Sequence, residues 1–455
     1  MDLNNKNILV CGMARSGIAA AVLLANKGAN VTLCDSKPKE QLTDAIAELE
    51  KSGAKVNMLV GQNPENTHQY DMLVLSPGVP YVLPFIQNAK AAGVPVISEV
   101  ELAYRFTPCK IAAITGTNGK TTTTALTAQI IGAHIQNTHA LGNIGTSWSG
   151  MVDSLSADSF VVAELSSFQL EVIDEFRPLV SAVLNISEDH LDRHGTMEYY
   201  IAAKERIFEN QSSANFTVLN YDDPVCKSMA NRTKARVLWF SSSKELEEGA
   251  YLKNGSIWLK FNGFYGALAN INELKILGTH NMENAIAAAL IAACAGVPAD
   301  VISAQLKAFG GVEHRMEHVA DINGVAYYND SKATNTDAAI RAINSTNRPI
   351  VLIGGGYDKA ANFDDWTKQF NGKVKHLVVF GQTADKIIDS AKNQGFTSFE
   401  KVKTLEEAVQ NARKTAQEGD CVLLSPACAS WDMFKDFEQR GELFKSQVLS
   451  ALMNN

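Results

Sequence analysis

Residues 116–122, GTNGKTT, have the composition and order of a loop that binds phosphate. Gly119, Lys120 and Thr121 match the end of the pattern G-x-x-x-x-G-K-[ST], although Ile114 occupies the place of its first glycine. In such a loop the backbone N–H groups surround a phosphate, the lysine reaches the terminal phosphates and the threonine holds Mg²⁺. A strand-to-helix turn capped by threonines is the alternative, but that turn does not require a lysine. The segment therefore favours nucleotide binding.

Three further polar side chains follow or lie close behind apolar runs. Glu164 stands at the end of FVVAE, and a carboxylate there can bind Mg²⁺ directly or through water. The alternative for Glu164 is an exposed acid that caps the next helix. His190 lies in NISEDHLDRHG and Lys204 in YIAAKERIFEN. Taken alone, His190 would be interpreted as a structural histidine and Lys204 as a solvated surface lysine.

A second glycine-rich turn, CGMARSG at residues 11–17, is similar to the dinucleotide-binding pattern G-x-G-x-x-G. Ala14 occupies the position of the middle glycine. Asp35 ends the second apolar run, where a ribose-binding acid stands in dinucleotide-binding proteins. Taken alone, this turn indicates an NAD-dependent dehydrogenase. That function is the main alternative to an enzyme that uses a nucleoside triphosphate.

The elements that position these residues are apolar runs alternating with helical stretches, in three series along the chain. This alternation predicts an α/β protein with three domains, each built on a mostly parallel sheet. The predicted domains are a Rossmann-like N-terminal domain (1–98), a central P-loop ATPase-like domain (99–311) and a Rossmann-like C-terminal domain (312–455). In such sheets ligands bind at the carboxyl ends of the strands. The polar loops of this sequence follow the strands, so we expect the site to be formed by these loops.

Composition excludes several classes of function. The net charge of −8 makes a general attraction to nucleic acid unfavourable. The most apolar helical stretch, residues 285–296, is well below the ~20 residues that span a bilayer, so membrane insertion is not expected. The seven cysteines form no C-x-x-C pair, and the first residues lack a secretion signal. We expect a cytoplasmic monomer with reduced thiols.

Taken together, four motifs resemble the Mur ligases, a family of ATP-dependent amide ligases. They are TGTNGKT, NISEDHLD, LGTHNMEN and GGVEHRMEHV, and with the C-terminal segments the likeness extends from about residue 111 to 437. The resemblance implies ATP contacts at Gly116, Thr117, Asn118, Gly119, Lys120, Thr121, Thr122, Asn281, Asn284, Arg315 and Asp330. It implies two Mg²⁺ ions held with Thr121, Glu164, His190 and a carbamylated Lys204. The implied catalytic residues are Lys120, His190, Lys204 and Lys332.

Two C-terminal segments, NDSKATN and SPACASWDMFKDFEQRG, resemble the branch of the family that adds D-glutamate. The D-N-P-R sequence of the branch that adds diaminopimelate or lysine is absent. The resemblance implies ligation of D-glutamate to UDP-MurNAc-L-Ala through an acyl phosphate, in the synthesis of peptidoglycan precursors. The implied D-glutamate contacts are Lys332, Thr334, Lys359, Ser430 and Phe437.

The same resemblance assigns the N-terminal turn to the UDP substrate rather than to NAD. The implied contacts are Ser16, Gly17, Asp35, Ser36, Ser76, Asn143 and His190. Ser36 stands where the family commonly has threonine. A third alternative is a UDP-sugar-binding protein without catalytic activity, but every implied ATP and Mg²⁺ residue is present in this sequence.

Overall fold

The computed structural model describes residues 1–276, 278–359 and 361–453. The chain separates into two compact units. The first comprises Met1–Glu273 and Glu283–Lys307, and the second comprises Leu274–Met282 and the residues from Ala308 onward. The first unit contains two sheets and the second contains one. The predicted α/β class with mostly parallel sheets is confirmed. The division into three domains remains a prediction, because the three sheets are distributed over two units.

The N-terminal sheet has five parallel strands in the order β3-β2-β1-β4-β5. Its strands are β1 (Asn7–Cys11), β2 (Asn30–Asp35), β3 (Val56–Val60), β4 (Met72–Leu75) and β5 (Val96–Ser98). Its helices are α1 (Arg15–Asn26), α2 (Thr43–Ser52), α3 (Pro84–Ala91) and α4 (Glu99–Phe106). The strand order reverses between β1 and β4, and ligand sites form at such a point. The turns after these two strands hold Gly12 and Ser76.

The central sheet has nine strands in the order β14-β13-β12-β11-β10-β9-β6-β8-β7. Its strands are β6 (Lys110–Thr115), β7 (Thr138–Gly142), β8 (Phe160–Glu164), β9 (Val180–Val183), β10 (Phe216–Asn220), β11 (Arg236–Ser241), β12 (Gly249–Lys253), β13 (Ser256–Phe261) and β14 (Phe264–Asn270). The helices over this part of the chain are α5 (Lys120–Gly132), α6 (Trp148–Met151), α7 (Ser167–Leu170), α8 (Leu191–His194), α9 (Met197–Glu205), α10 (Pro224–Met229), α11 (Thr279–Cys294) and α12 (Ala299–Ala308). Strands β6 to β12 pair in parallel, whereas β12, β13 and β14 form antiparallel hairpins.

The hairpins of β12 to β14 are not among the predicted elements. Their turns are Asn254-Gly255 and Asn262-Gly263, and all four residues have positive φ, between 49° and 84°. Asn-Gly pairs favour this conformation and are the strongest local signal for a two-residue hairpin. The sequence therefore contained a signal for these hairpins, in addition to the alternation of strands and helices that predicted parallel sheets.

The two sheets of the first unit share one hydrophobic cluster, which includes Ile8 and Val74 from one sheet and Ala113 and Val161 from the other. Glu99 at the start of α4 is buried and accepts hydrogen bonds from Ser147 Oγ (3.0 Å) and Ser149 N (2.8 Å). A continuous apolar core and buried polar contacts across residue 99 explain why these two sheets form one compact unit.

The second unit is built on six strands in the order β15-β16-β20-β17-β18-β19. They are β15 (Glu317–Ile322), β16 (Val325–Asn329), β17 (Ile350–Gly355), β18 (Val374–Phe380), β19 (Phe399–Lys401) and β20 (Cys421–Leu424). The helices are α13 (Thr336–Asn344), α14 (Asp364–Thr367), α15 (Ala384–Asn393), α16 (Leu405–Thr415) and α17 (Phe437–Met453). All pairs are parallel except β15 with β16. Trp366 and Phe370 pack on one face of the sheet, and Val409 and Phe444 on the other.

Two expectations about the whole chain can be compared with the structure. Over the described residues, none of the helices has the length and apolar character required to cross a lipid bilayer. All seven cysteines are described and are free thiols, as expected for a reduced protein.

Candidate active site

The loop between β6 and α5 has the backbone shape that its glycines permit. Gly116 has φ +150° and Gly119, which caps α5, has φ +82°. A Cβ at Gly119 would lie 2.2 Å from Asn284 Oδ1, so glycine is required there for conformation and for space. Asn284 also accepts a hydrogen bond from Thr123 Oγ1 at 3.2 Å. The structure therefore brings the predicted Asn284 against the predicted loop.

The same loop is fixed to the segment after β9. Asn118 N donates to Asn185 Oδ1 at 2.8 Å, and Asn185 Nδ2 donates to Asn118 O at 3.1 Å. Thr117 Oγ1 lies 3.0 Å from Tyr200 OH and accepts from Ser187 N at 3.0 Å. These contacts hold the backbone N–H groups of the loop at the N-terminus of α5, where partial positive charge favours an anion. Thr121 and Thr122 in the first turn of α5 are buried.

Two lysines converge on one carbonyl of this loop. Lys120 Nζ donates to Gly116 O at 2.9 Å and to Thr117 O at 2.8 Å. Lys204 Nζ donates to Gly116 O at 2.8 Å and to Thr115 Oγ1 at 3.4 Å. Lys204 is only 2% exposed, which excludes the interpretation as a surface lysine. Burial, followed by repulsion from Lys120, lowers the pKa of Lys204 to about 7.

Glu164 lies at the end of β8, buried at 2% exposure. Its Oε1 accepts a hydrogen bond from Asn143 Nδ2 at 3.0 Å. Its Oε2 is buried and has no hydrogen-bond partner among the described residues. The interpretation of Glu164 as an exposed helix cap is therefore wrong. A buried carboxylate oxygen without a partner is costly, and a cation is the ligand that would satisfy it.

His190 lies in the turn before α8 and has a backbone φ of +54°. Its side chain is half exposed, lies 3.5 Å from an oxygen of Asp189, and has its ring centroid 4.9 Å from that of Phe168. Arg193, in α8 directly after His190, donates to Pro77 O at 2.8 Å and to Val79 O at 3.3 Å. Arg193 thus ties the loop of His190 to the turn that follows β4.

The N-terminal turn is closely packed around two glycines. A Cβ at Gly17 would lie 1.8 Å from Gly12 O and 2.6 Å from Ser76 Oγ. Ser76 Oγ donates to Gly12 O at 3.1 Å. Asp35 Oδ2 accepts from Met13 N at 2.9 Å and so orders the turn, while Oδ1 accepts from Lys37 N at 2.9 Å in the segment after β2. Of the remaining two predicted residues, Ser36 is exposed and Ser16 is partly buried at the start of α1.

The second unit holds the other predicted ATP residues. Asp330 follows β16 and is buried, and it accepts from Ser425 Oγ at 2.8 Å and from Met316 N at 3.2 Å. Burial raises the pKa of Asp330 to about 7. Arg315 is exposed in a turn in which its N donates to Val312 O at 3.0 Å. Asn281, in the first turn of α11, donates its backbone N–H to Gly278 O at 3.1 Å.

The predicted D-glutamate residues come from three loops after strands of this unit. Lys332 Nζ lies 5.6 Å from the ring centroid of Phe437, and Lys359 Nζ lies 4.5 Å from that of Trp431. Ser430 is buried directly before Trp431. Thr334 N donates to Lys332 O at 2.9 Å, and this hydrogen bond forms a tight turn in the loop after β16.

Comparisons with known proteins extend over almost the whole chain. A model of the Mur ligase MurD-like N-terminal domain matches residues 6–98, the Mur ligase middle domain matches 114–292, and the Mur ligase glutamate ligase domain matches 314–428. This chain belongs to the Mur ligase family. The family membership removes the dehydrogenase alternative for the N-terminal turn.

Individual relatives within the Mur ligase family are similar along their full length. A UDP-N-acetylmuramoylalanine–D-glutamate ligase of Thermoanaerobacter sp. (strain X514) is 48% identical over 451 residues, 98% of this chain and 99% of the relative. A ligase of the same name from Clostridioides difficile (strain 630) is 46% identical over 449 residues, again 98% of this chain and 99% of the relative.

Solved structures of Mur ligases have the same fold. The UDP-N-acetylmuramate–alanine ligase MurC of Thermotoga maritima has a TM-score of 0.59 at 20% identity and covers 98% of this chain and all of that chain. MurF of Acinetobacter baumannii has a TM-score of 0.60 at 17% identity, with 97% and 93% covered.

Arg440 in the second unit is not among the predicted site residues of this Mur ligase. It is fully buried, and its guanidinium donates to Ser331 Oγ (2.9 Å), Ser331 O (2.7 Å) and Cys428 O (3.1 Å). Burial lowers the pKa of Arg440 to about 10, so the guanidinium is still charged at neutral pH. Arg440 joins the loop of Lys332 to the loop of Ser430. Its place in EQRG on a helix gave no local sign of complete burial.

A cluster of metal-binding side-chain types also lies apart from the predicted metal residues. Across the described part of the chain, the one such group of three or more is Glu313, His314 and Glu442. Lys445 forms ion pairs with Glu313, with Glu442 at 2.8 Å, and with Glu317 at 3.4 Å. The lysine pairs with all three carboxylates, so the cluster is an ion-pair network.

Proposed function

We propose that this chain joins D-glutamate to UDP-N-acetylmuramoyl-L-alanine and converts ATP to ADP and phosphate. The observation that carries the proposal is the 48% identity, over 98% of the chain, to a ligase named for this reaction. The geometry supports it, because one group of residues suits a phosphate and another group offers two lysines to a dicarboxylate.

The first step would take place at the loop between β6 and α5. An oxygen of the alanine carboxylate forms a bond to the γ-phosphorus of ATP, and the bond to the ADP oxygen breaks. Lys120 and the N-terminus of α5 stabilise the charge that moves during this transfer, while the loop positions the phosphates. The D-glutamate amine then attacks the acyl carbon and loses a proton, and the bond to phosphate breaks.

The residues also suit Mg²⁺. Glu164 Oε2 is a buried oxygen without a partner in the described residues, and Thr121 lies in the first turn of α5. Oxygen ligands of this kind are what Mg²⁺ prefers. Glu164, Thr121, His190 and a modified Lys204 would hold two ions. When bound, Mg²⁺ neutralises the negative charge of the phosphates.

We propose that Lys204 carries a carbamate in the active enzyme. Its amine nitrogen forms a bond to the carbon of CO₂ and releases one proton. The neutral amine is the reactive form, and burial of Lys204 favours that form. Carbamylation also replaces a cation that faces Lys120 by an anion. Two mutually repelling ammonium groups on Gly116 O would then become an oppositely charged pair.

The UDP substrate is assigned to the first unit. Gly17 and Ser16 at the start of α1 would face the diphosphate, and Asp35 and Ser36 the uracil. Ser76, Asn143 and His190 would contact the rest of the precursor. The Arg193 contacts support this assignment, because they join the loop of His190 to the turn of Ser76.

The amino acid is assigned to the second unit. Lys332, Thr334, Lys359, Ser430 and the backbone of Phe437 would hold the two carboxylates of D-glutamate. Charge-assisted hydrogen bonds to carboxylates are strong, and a cationic side chain on the amino acid would be repelled. ATP would be bound with Asn281, Asn284, Arg315 and Asp330 in addition to the loop. We further propose that the ligase acts as a monomer in the cytoplasm, where ATP and the nucleotide sugar are available.

Phosphate release from ATP tests the proposed function. We expect release only when UDP-N-acetylmuramoyl-L-alanine and D-glutamate are both present. L-lysine or diaminopimelate in place of D-glutamate should reduce the rate by more than about a hundredfold. Equal rates with L-lysine would assign a different amino acid to the site. Release that requires neither substrate would refute the reaction.

A further inference from the structure

Trp431 stands out as an exposed aromatic side chain beside the proposed amino-acid site. All five tryptophans are described: Trp148 and Trp366 are fully buried, Trp239 and Trp258 are partly buried, and Trp431 is 61% exposed. An indole exposed to this extent contributes little apolar burial to folding. It lies directly after the buried Ser430.

The loops that carry Trp431 and Lys359 are joined by their backbones. Tyr357 N donates to Ala429 O at 2.9 Å, and the two residues form a single antiparallel bridge. A Cβ at Gly356 would lie 2.3 Å from Ala429 O, so the glycine permits this close approach. The Tyr357 and Trp431 rings lie 5.8 Å apart. The bridge therefore fixes the position of the Trp431 indole relative to the loop that carries Lys359.

Lys359 lies over the face of this indole. Its Nζ is 4.5 Å from the ring centroid, within the range of a cation–π interaction. Lys332 is placed over Phe437 in the same way, at 5.6 Å. Both lysines that the proposed function assigns to carboxylates are thus supported by aromatic rings of one segment, residues 431–437, which ends at the first residue of α17. A lysine side chain has many rotamers in solution, and a supporting ring lowers the cost of ordering it on binding.

We propose that Trp431 is a positioning residue that sets the affinity for the amino-acid substrate by holding the Lys359 ammonium ready for a carboxylate. This inference rests on the proposed function, since it takes D-glutamate as the ligand. Trp431 acts through Lys359 and takes no part in phosphoryl transfer. Its loss should therefore change the binding of the amino acid and leave the ATP step intact.

Steady-state kinetics of Trp431→Ala and Trp431→Phe test the proposal. We expect the KM for D-glutamate to rise by about threefold to tenfold in Trp431→Ala, with less change in Trp431→Phe, which keeps an aromatic face. The KM for ATP and kcat should stay within about twofold. Tyr265→Ala is a matched control, because Tyr265 is 56% exposed and has Lys260 Nζ 5.8 Å from its ring. That control should leave all constants unchanged.

Intrinsic fluorescence adds a readout that a purely structural role would not change. D-glutamate, added with UDP-N-acetylmuramoyl-L-alanine and a non-hydrolysable ATP analogue, should alter the emission of the wild-type protein. The change should be absent in Trp431→Phe. An unchanged KM for D-glutamate in Trp431→Ala, with a wild type that requires D-glutamate, would overturn the inference alone. A wild type that does not require D-glutamate would overturn the proposed function and the inference with it.

Discussion

The lysines of the two units are held in opposite ways. In the first unit, Lys120 and Lys204 both donate to the carbonyl of Gly116, and Lys204 is buried. In the second unit, Lys332 and Lys359 lie over aromatic rings and are at least partly exposed to solvent. The surroundings of the lysines in the first unit therefore oppose a positive charge. The surroundings of the lysines in the second unit tolerate it.

This difference would allow one residue type to serve the two kinds of chemistry proposed above. A carbonyl oxygen can orient an ammonium, but it cannot offset burial beside a second cation, so the pKa of Lys204 falls to about 7. A neutral amine is the form that the proposed reaction with CO₂ requires. An aromatic face attracts a cation and leaves most of its hydration in place. The lysines of the second unit thus remain suited to bind anions.

The largest expected effect is that of Lys120→Ala. Lys120 would contact the phosphate that is transferred, and removal of one stabilising donor from such a site lowers kcat by about a thousandfold. Phosphate release under saturating substrates measures this loss. The melting temperature should stay close to that of the wild type, because the two hydrogen bonds of Lys120 described above both go to carbonyls of its own loop. Near-normal turnover in the folded variant would remove Lys120 from catalysis.

Lys204→Ala tests whether the buried lysine acts as an anion. We expect a loss of about a hundredfold, with partial recovery when a short carboxylic acid is added, since the acid can occupy the space of the carbamate. Lys227→Ala, on the exposed side of α10, serves as a control that the acid should not affect. Recovery by a short amine instead of an acid would mean that Lys204 acts as a cation. The contrast drawn above between the lysines of the first unit and those of the second would then be wrong.

Arg440→Met tests a buried cation that keeps its charge. The substitution leaves Ser331 O and Cys428 O without their partner, and we expect a loss of about 3 kcal/mol in the free energy of unfolding. Urea unfolding followed by the fluorescence of the buried Trp366 measures it. Lys414→Met on the exposed face of α16 should change stability by less than about 0.5 kcal/mol. Equal stability of both variants would show that Arg440 does not hold the loops together.

The smallest effect concerns Asp330, a buried acid in the same unit. Its pKa is about 7 in the folded protein, raised by burial and opposed by Ser425, Arg315, Met316 N and Arg440. Between about pH 4 and pH 7 the folded state therefore binds one proton more than the unfolded state at this position. Its contribution to stability is present at low pH and is lost as the pH rises from about 4 to 7, and about 2 to 3 kcal/mol of that loss falls between pH 5 and pH 7.

Asp330→Asn should remove this pH dependence, because the amide does not titrate. Urea unfolding at pH 5 and pH 8 gives the difference for each protein. The wild type should lose more stability than the variant over this interval. An identical loss in both proteins would mean that Asp330 is ionised throughout.

The sequence by itself determined the class of fold and the family, and it predicted the loops that carry the site. These features are local, because an apolar run followed by glycine and polar residues forms a strand and a turn in many surroundings. Gly119-Lys120-Thr121 is such a case, and α5 begins at Lys120 as the pattern requires. The Asn-Gly turns of β12 to β14 were equally local and could have been used to predict the hairpins.

The tertiary structure alone decided which polar residues are buried and what they face. Lys204 has the sequence surroundings of a surface helix residue, yet it is buried because α9 packs so that its amine reaches Gly116. Arg440 is enclosed by segments about a hundred residues apart in the chain, and no local pattern records that. Exposure and pKa depend on distant segments that meet only in the folded chain. For that reason the sequence predicted which residues are reactive, but only the fold indicates which of them are buried and what they face.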